Sequence, residues 1–319
     1  MTGHLLDESA KGIYIIAATP FDHQGALDLA SLDRLIGFYI EGGVHGITIL
    51  GMMGEAQKLT FGEQRRVIDR VLKQVAGELP VVVGVSAPGL AQLAALSEEA
   101  MSEGAAGVMV APPPGLTTDE HVEGYVRQAI DAVGYDVPVV LQDYPQATGV
   151  HLSVPLFNQL IDALPQIKVL KHEDCPGLAK ISRIRKTAER DDHRRIAILT
   201  GNGGLYFPLE LARGADGAMT GFAYPELLVE VYSSFQAGET DEAFDLFDDY
   251  LPVIRYEQQP GIGLAIRKQI LHRRGVIASP TLRSPGPRLD RADLAELESL
   301  LRRLDHRIRG ARGGPASTW

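Results

Sequence analysis

Short runs of branched apolar residues alternate along the chain with longer segments of helical period. The runs are Ile13–Ala18, Gly46–Leu50, Val81–Val85, Gly107–Ala111, Val137–Gln142, Ile167–Lys171, Ile196–Thr200 and Gly217–Thr220. They are too uniformly apolar to keep one face in water, which is the pattern of strands in a parallel sheet covered on both sides. Between them lie amphipathic segments. Leu32, Leu35, Ile36, Tyr39 and Ile40 mark one buried helix face. Thr60 and Glu63 open the next helix with a capping-box spacing, and Val67, Ile68, Val71 and Leu72 continue its apolar face. Thr117 and Glu120 repeat that spacing ahead of Val122, Tyr125, Val126 and Ile130, and Gly42, Gly104 and Gly134 stand where helices should close.

Eight strand-then-helix units follow one another at intervals of roughly 20–35 residues, which predicts an α/β chain folded as a (β/α)8 TIM barrel. The competing doubly wound sheet carries a Gly-rich phosphate turn after its first strand, whereas this chain has Thr19-Pro20-Phe21 there. Past the eighth unit the pattern is purely helical, over about 238–256, 261–274 and 290–309. The predicted organisation is a barrel over 1–236 and a C-terminal helical extension over 237–319 packed on it, with a loose tail from Gly310 to Trp319.

Composition narrows the function classes. With 45% hydrophobic and 23% charged residues the 319-residue chain reads as globular. A net charge of −10 argues against general affinity for nucleic acid or an anionic membrane. The basic runs Arg273-Arg274, Arg302-Arg303 and Arg307 to Arg312 read as solvated or subunit-contact faces of terminal helices. A single cysteine, Cys175, excludes an intrachain disulfide and fits a reducing compartment. Met1 to Lys11 has no signal-peptide core, and no run of 18 apolar residues follows. The expectation is a cytoplasmic protein without a membrane segment. His151, His172 and His193 are dispersed, so neither metal nor cofactor is expected.

In such a barrel the chemistry sits at the C-terminal ends of the strands. Lys171 ends the sixth run, and alternation places Val169, Lys171 and Glu173 on one face. A lysine in a partly dry barrel mouth should have a lowered pKa, and its neutral amine is the nucleophile that forms an imine with a ketone. Spacing alone equally allows a strand-end lysine whose head snorkels to solvent, and favours it.

Four features change that balance, in order and at fixed spacing. They are Thr19-Pro20-Phe21, Gly51-Met52-Met53-Gly54-Glu55, Pro145 with Thr148-Gly149, and Lys171. With Gly201-Asn202 and the helical C-terminus, they make the chain resemble the dihydrodipicolinate synthase/N-acetylneuraminate lyase family across nearly the whole barrel. The resemblance implies a Schiff base on Lys171, a small-molecule 2-oxo acid as substrate, and a homotetramer built as a dimer of dimers.

Departures from the family pattern bear on the reaction. Met52 and Met53 stand where the family has hydroxyl residues that hold the substrate carboxylate, and neither donates a side-chain hydrogen bond. The turn from Gly51 could still offer its amides as an anion nest. Gln142 replaces the central tyrosine of a synthase, Pro113-Pro114 replaces its companion tyrosine pair, and Ala147 replaces the arginine that meets the second substrate. These argue against a true dihydrodipicolinate synthase. Gln142-Asp143-Tyr144-Pro145 and Lys171-His172-Glu173-Asp174 resemble instead the members that dehydrate 2-keto-3-deoxy sugar acids.

On this reading Glu173 takes a C3 proton from the imine and helps expel the C4 hydroxyl, or else merely anchors Lys171 as an ion pair. Tyr144 either shares the inward face and replaces the missing phenol, or packs outward beside Pro145. Gln142 binds a substrate hydroxyl or satisfies a backbone group. Thr19 reaches the lysine or, more simply, caps its own turn. Asn202 is placed to touch substrate from strand seven. His172 and Asp174 should point away from the lysine. Cys175 is expected as a buried or helix-capping thiol. Three functions stand: a Schiff-base dehydratase of a 2-keto-3-deoxy sugar acid, a retro-aldolase releasing pyruvate (or a synthase-like condensation), and a non-catalytic barrel that binds a 2-oxo acid. Met52 and Met53 also leave open a larger or less polar substrate.

Overall fold

The architecture is that of a computed structural model, which describes residues 5–190 and 193–312. The first half of the barrel is β1 (Gly12–Ile16), α1 (Leu29–Glu41), β2 (Gly46–Ile49), α2 (Phe61–Val75), β3 (Val81–Gly84), α3 (Leu90–Ser102), β4 (Gly107–Val110) and α4 (Asp119–Val133). The second half is β5 (Val139–Asp143), α5 (Pro145–Thr148), α6 (Val154–Ala163), β6 (Ile167–His172), α7 (Leu178–Ala188), β7 (Ala197–Thr200), α8 (Phe207–Ala212) and β8 (Gly217–Thr220). Then come α9 (Pro225–Gln236), α10 (Thr240–Glu257), α11 (Gly263–Arg273) and α12 (Arg291–Arg312).

The eight strands are parallel and close in sequence order, β1 pairing with both β2 and β8. Alternate strand residues face opposite ways. Ile16, Val82, Met109, Val140, Val169, Leu199 and Met219 fill the inside, while Ile13, Ile15, Ile47, Val83, Val108, Leu141 and Ile198 pack beneath the helices. Leu6 and Ala10 join the inner cluster, with the Leu6 N–H bonded to the Ala106 carbonyl. Between β5 and β6 the register slips once, Val139 pairing with Ile167 and Val140 with Val169. The extra residue, Lys168, lies below the functional end, so alternation from Val169 to Lys171 and Glu173 is unbroken.

Local signals in the sequence explain most boundaries. Thr60 and Glu63 form the full capping box of α2. The cap of α4 is a correction: Thr118, not Thr117, accepts the N–H of His121, and Glu120 is a first-turn residue. The extension begins with α9 and α10, and α12 runs on to Arg312, so the tail expected to be loose from Gly310 starts as helix; residues 313–319 lie outside those described. Arg274 is a second correction. Its side chain is only 8% exposed, and its guanidinium donates to the Ala223 carbonyl and Glu226 and lies over Phe38 and Tyr224. Arg273 at the same helix end pairs outward with Glu298. No helix among the described residues is long and apolar enough to cross a membrane.

Candidate active site

The C-terminal strand ends bring Lys171, Glu173, Gln142 and Asn202 together. Register sets the first contacts, since Gln142 lies opposite Lys171 and Lys171 opposite Leu199. Lys171 is 3% and Glu173 6% exposed, so this is a buried pair at the barrel mouth. The Lys171 Nζ lies 2.9 Å from Glu173 Oε2, and the Gln142 Nε2 donates to that same oxygen at 2.6 Å. The other carboxylate oxygen faces Gly201. A Cβ there would come within 2.4 Å of Oε1 and 2.2 Å of Cγ, so only glycine leaves the carboxylate its place.

The backbone of Glu173 is held as firmly as its side chain. Its N–H bonds to the Asp143 carbonyl, and its own carbonyl accepts from Asn202 Nδ2 at 3.1 Å. The Gln146 amide, oriented to satisfy both partners, donates to the same carbonyl and accepts the Cys175 N–H, each at 2.8 Å. Asn202 takes a left-handed backbone, φ 51°, to reach this position. Asn202 and Gln146 therefore fix the residue that carries the carboxylate.

Tyr144 is half-buried and lies close enough to Glu173 to feel it. Burial, then the Glu173 charge, push its phenol above the usual range, while Arg267 pulls the other way. Met53 packs on the inner cluster, and a Cβ at Gly51 would lie 3.4 Å from Met109 and 3.7 Å from Ile16, so the turn after β2 rests on the apolar inside of the barrel. Thr19 is a correction. Its hydroxyl neither caps its own turn nor bonds the lysine; it donates to the Gly54 carbonyl at 2.6 Å. Adjacent parallel strands β1 and β2 leave their exit loops side by side, which makes that contact the nearest one. Cys175 is also a correction, being exposed and two residues ahead of the Gly177 cap of α7.

Behind the lysine strand runs a polar row that belongs to the outer face. Asp143, His172 and Thr200 are cross-strand neighbours on β5, β6 and β7. Lys180 from α7 closes on Asp143 at 2.6 Å and on Asp174 at 3.1 Å, while His172 Nε2 donates to the Gly177 carbonyl at 3.2 Å. Glu210 from α8 completes the row. Burial raises its pKa to about 7, against the pull of a Thr200 hydrogen bond and of His172. His172 and Asp174 thus face this row, on the side of the strand opposite Lys171.

Residues 9–304 match the dihydrodipicolinate synthetase family. The chain belongs to that family. It is similar to the L-2-keto-3-deoxyarabonate dehydratase of Azospirillum brasilense, at 31% identity over 92% of this chain and 94% of that one. It is likewise similar to a 4-hydroxy-tetrahydrodipicolinate synthase of Methanosphaerula palustris, at 29% identity over 92% of this chain and 99% of that one. Among solved structures, a dihydrodipicolinate synthase from Rhodopseudomonas palustris superposes with a TM-score of 0.92, at 46% identity over 94% of this chain and all (100%) of that one. A family member from E. coli K12, solved in complex with pyruvate, gives a TM-score of 0.83 at 25% identity over 92% and 98% of the two chains. The protein is a lyase of the dihydrodipicolinate synthetase family.

Two residues around this family site, Gln146 and Lys180, carried no readable mark in the linear sequence. Their purpose, like the contacts made by Gly201 and Asp143, shows only through neighbours distant in the chain. Arg267 and Lys268 did carry one. They sit in the apolar stripe of α11, beside Ile266, Ile270 and Leu271, and both are buried, at 1% and 0% exposure. A charged residue on the apolar face of an amphipathic helix implies a buried partner. The partners here are Glu257 for Arg267, at 2.5 Å, and Glu55 for Lys268, at 2.6 Å.

Proposed function

We propose that this lyase forms an imine between Lys171 and a 2-oxo acid and dehydrates a 2-keto-3-deoxy sugar acid. The observation that carries the reading is the shared hydrogen-bond position at Glu173 Oε2, 2.9 Å from Lys171 Nζ and 2.6 Å from Gln142 Nε2. Lys171 Nζ attacks the C2 ketone, and water leaves as the iminium forms. The iminium acidifies the C3 hydrogens. Glu173, beside the nitrogen, accepts the C3 proton, and the resulting enamine expels the C4 hydroxyl, which leaves as water when that proton returns to it. Hydrolysis then frees the lysine. The turn Gly51–Gly54 takes the substrate carboxylate through its backbone, since Met52 and Met53 offer no side-chain donor. Gln142 and Asn202 border the place of the substrate hydroxyls.

Retro-aldol cleavage asks for a base on the C4 hydroxyl. Gln142 cannot serve, and burial plus the Glu173 charge hold the Tyr144 phenol in its protonated form, a donor more than an acceptor. This favours loss of water over cleavage. The likeness to the Azospirillum brasilense dehydratase supports the same substrate class.

The test is borohydride trapping with pyruvate and with a panel of 2-keto-3-deoxy acids, read by intact mass and peptide mapping. The expected result is a reduced adduct on Lys171, with sugar-acid adducts lighter by one water. An adduct carrying only the pyruvyl fragment from those acids would establish cleavage instead. Absence of any adduct in folded protein would leave the non-catalytic 2-oxo-acid-binding barrel as the better reading.

A further inference from the structure

The turn after β2 is bracketed by two non-glycine residues in the left-handed region, Leu50 at φ 55° and Glu55 at φ 54°. Such residues are strained, so the turn keeps its shape only where its surroundings over-determine it. Three contacts do so. The Leu50 carbonyl fits against Gly84, where a Cβ would come within 2.3 Å of the oxygen. The Gly54 carbonyl is held by Thr19. The third contact is the Glu55 carboxylate, only 2% exposed. Its Oε1 accepts from Lys268 Nζ at 2.6 Å, and its Oε2 from Lys58 Nζ at 2.9 Å and the Arg283 backbone N–H at 3.1 Å.

Lys268 lies 213 positions from Glu55 in the chain. It also donates to the Thr281 carbonyl at 3.0 Å and stands 4.5 Å from the Phe21 ring centroid, with the Arg283 guanidinium 4.5 Å from the same ring. Other parts of the C-terminal segment meet the catalytic face as well. Gln258 fills the space at Gly203 after β7, and Arg267 that at Gly221 after β8. Ile266, Ile270 and Leu271 give α11 apolar contacts of its own beside the two buried cations. A buried ion pair adds little net stability over apolar packing. Its distinctive effect is geometric, because it fixes one residue of a strained turn.

We propose that Glu55 is a positioning residue through which Lys268 and Arg283 clamp the Gly51–Gly54 turn in the shape that receives the substrate carboxylate. The inference rests on that turn being the carboxylate subsite, as read above. It gains weight from Met52 and Met53. With no hydroxyl to share the load, carboxylate binding depends on backbone geometry alone, so loss of the clamp is felt in full.

The test uses the full chain and pyruvate as the probe, reading the concentration that half-saturates borohydride-trappable Lys171. In Glu55→Gln and Lys268→Met it should rise about tenfold or more, a loss of about 1.4 kcal/mol, with the yield at saturation unchanged. In a Met52→Thr/Met53→Thr background the same two changes should matter several-fold less, because side-chain donors then carry part of the contact. Ile266→Val, which loosens α11 without touching the pair, should leave the half-saturation unmoved. Should either single variant fail to fold, Glu55→Leu/Lys268→Met removes both charges together and should show the same rise. Half-saturation unchanged in the clamp variants, or an equal rise in Ile266→Val, overturns the proposal. So does failure of all three clamp variants to fold, which would assign the pair to folding. No adduct in the parent protein overturns the imine reading itself, a result distinct from a normal parent with unmoved variants.

Discussion

At the scale of single residues, the site is decided by what surrounds Glu173. Lysine and glutamate two apart on a strand share a face by alternation alone. Their 2.9 Å contact still required the Glu173 backbone to be held by Asn202 and Gln146, and its side chain to be admitted by a glycine on the neighbouring strand end. Gly201→Ala would place a methyl 2.2 Å from the Glu173 Cγ and must displace the carboxylate. Because a misplacement of about 1 Å costs on the order of 100-fold in rate, turnover should fall by that factor. Trapping of pyruvate on Lys171 should persist, since the lysine itself is not displaced. Parallel loss of trapping and turnover would show that Gly201 supports the fold and not the carboxylate.

At the scale of elements, α11 is the piece whose sequence reads least like its role. It buries two cations, and each needs the acid it meets. Burial pushes Glu257 up despite Arg267 beside it, and the Arg267 Nη1 has no hydrogen-bond partner among the described residues. Arg267→Met leaves the buried Glu257 without its counter-charge, held only by the Ala223 N–H, which should cost about 3–5 kcal/mol by chemical denaturation. Arg267→Met/Glu257→Leu should recover most of that loss. If the double variant is no more stable than the single one, the pair does more for stability than neutralise two buried charges.

At the scale of the whole molecule, the loop after α11 ties the C-terminal extension to the first half of the barrel. Arg283 holds Glu63, at the start of α2, with two hydrogen bonds of 2.7 Å. That contact, with the Thr60 cap, lowers the Glu63 carboxyl from 4.5 to about 2. A depressed carboxyl contributes stability that is complete above its unfolded value of 4.5 and is lost as pH falls toward about 2. Unfolding followed across that window should therefore show an acid-sensitive contribution on the order of 1–3 kcal/mol, given that Glu63 is only 20% exposed. Glu63→Gln should remove it and flatten the profile. An unchanged slope between pH 4.5 and 2 would mean the contact is absent in solution.

The sequence by itself determined the barrel, because period-2 and period-3.6 apolar patterns are properties of neighbours along the chain, and eight βα units close in one way. It also placed Lys171 at a strand end with Glu173 on its face, since two residues of strand geometry suffice for that. It misassigned Thr19, Cys175, the α4 cap and Arg274, each of which depends on a contact outside its own segment. Tertiary structure alone decided the rest: Gly201 beside Glu173, the polar row from Asp143 to Glu210, and Lys268 on Glu55. These are meetings of strand ends and helices far apart in sequence, fixed by strand order, register and the docking of α11. A linear pattern carries the free energy of burying a face, and it does not say which buried charge will find which partner.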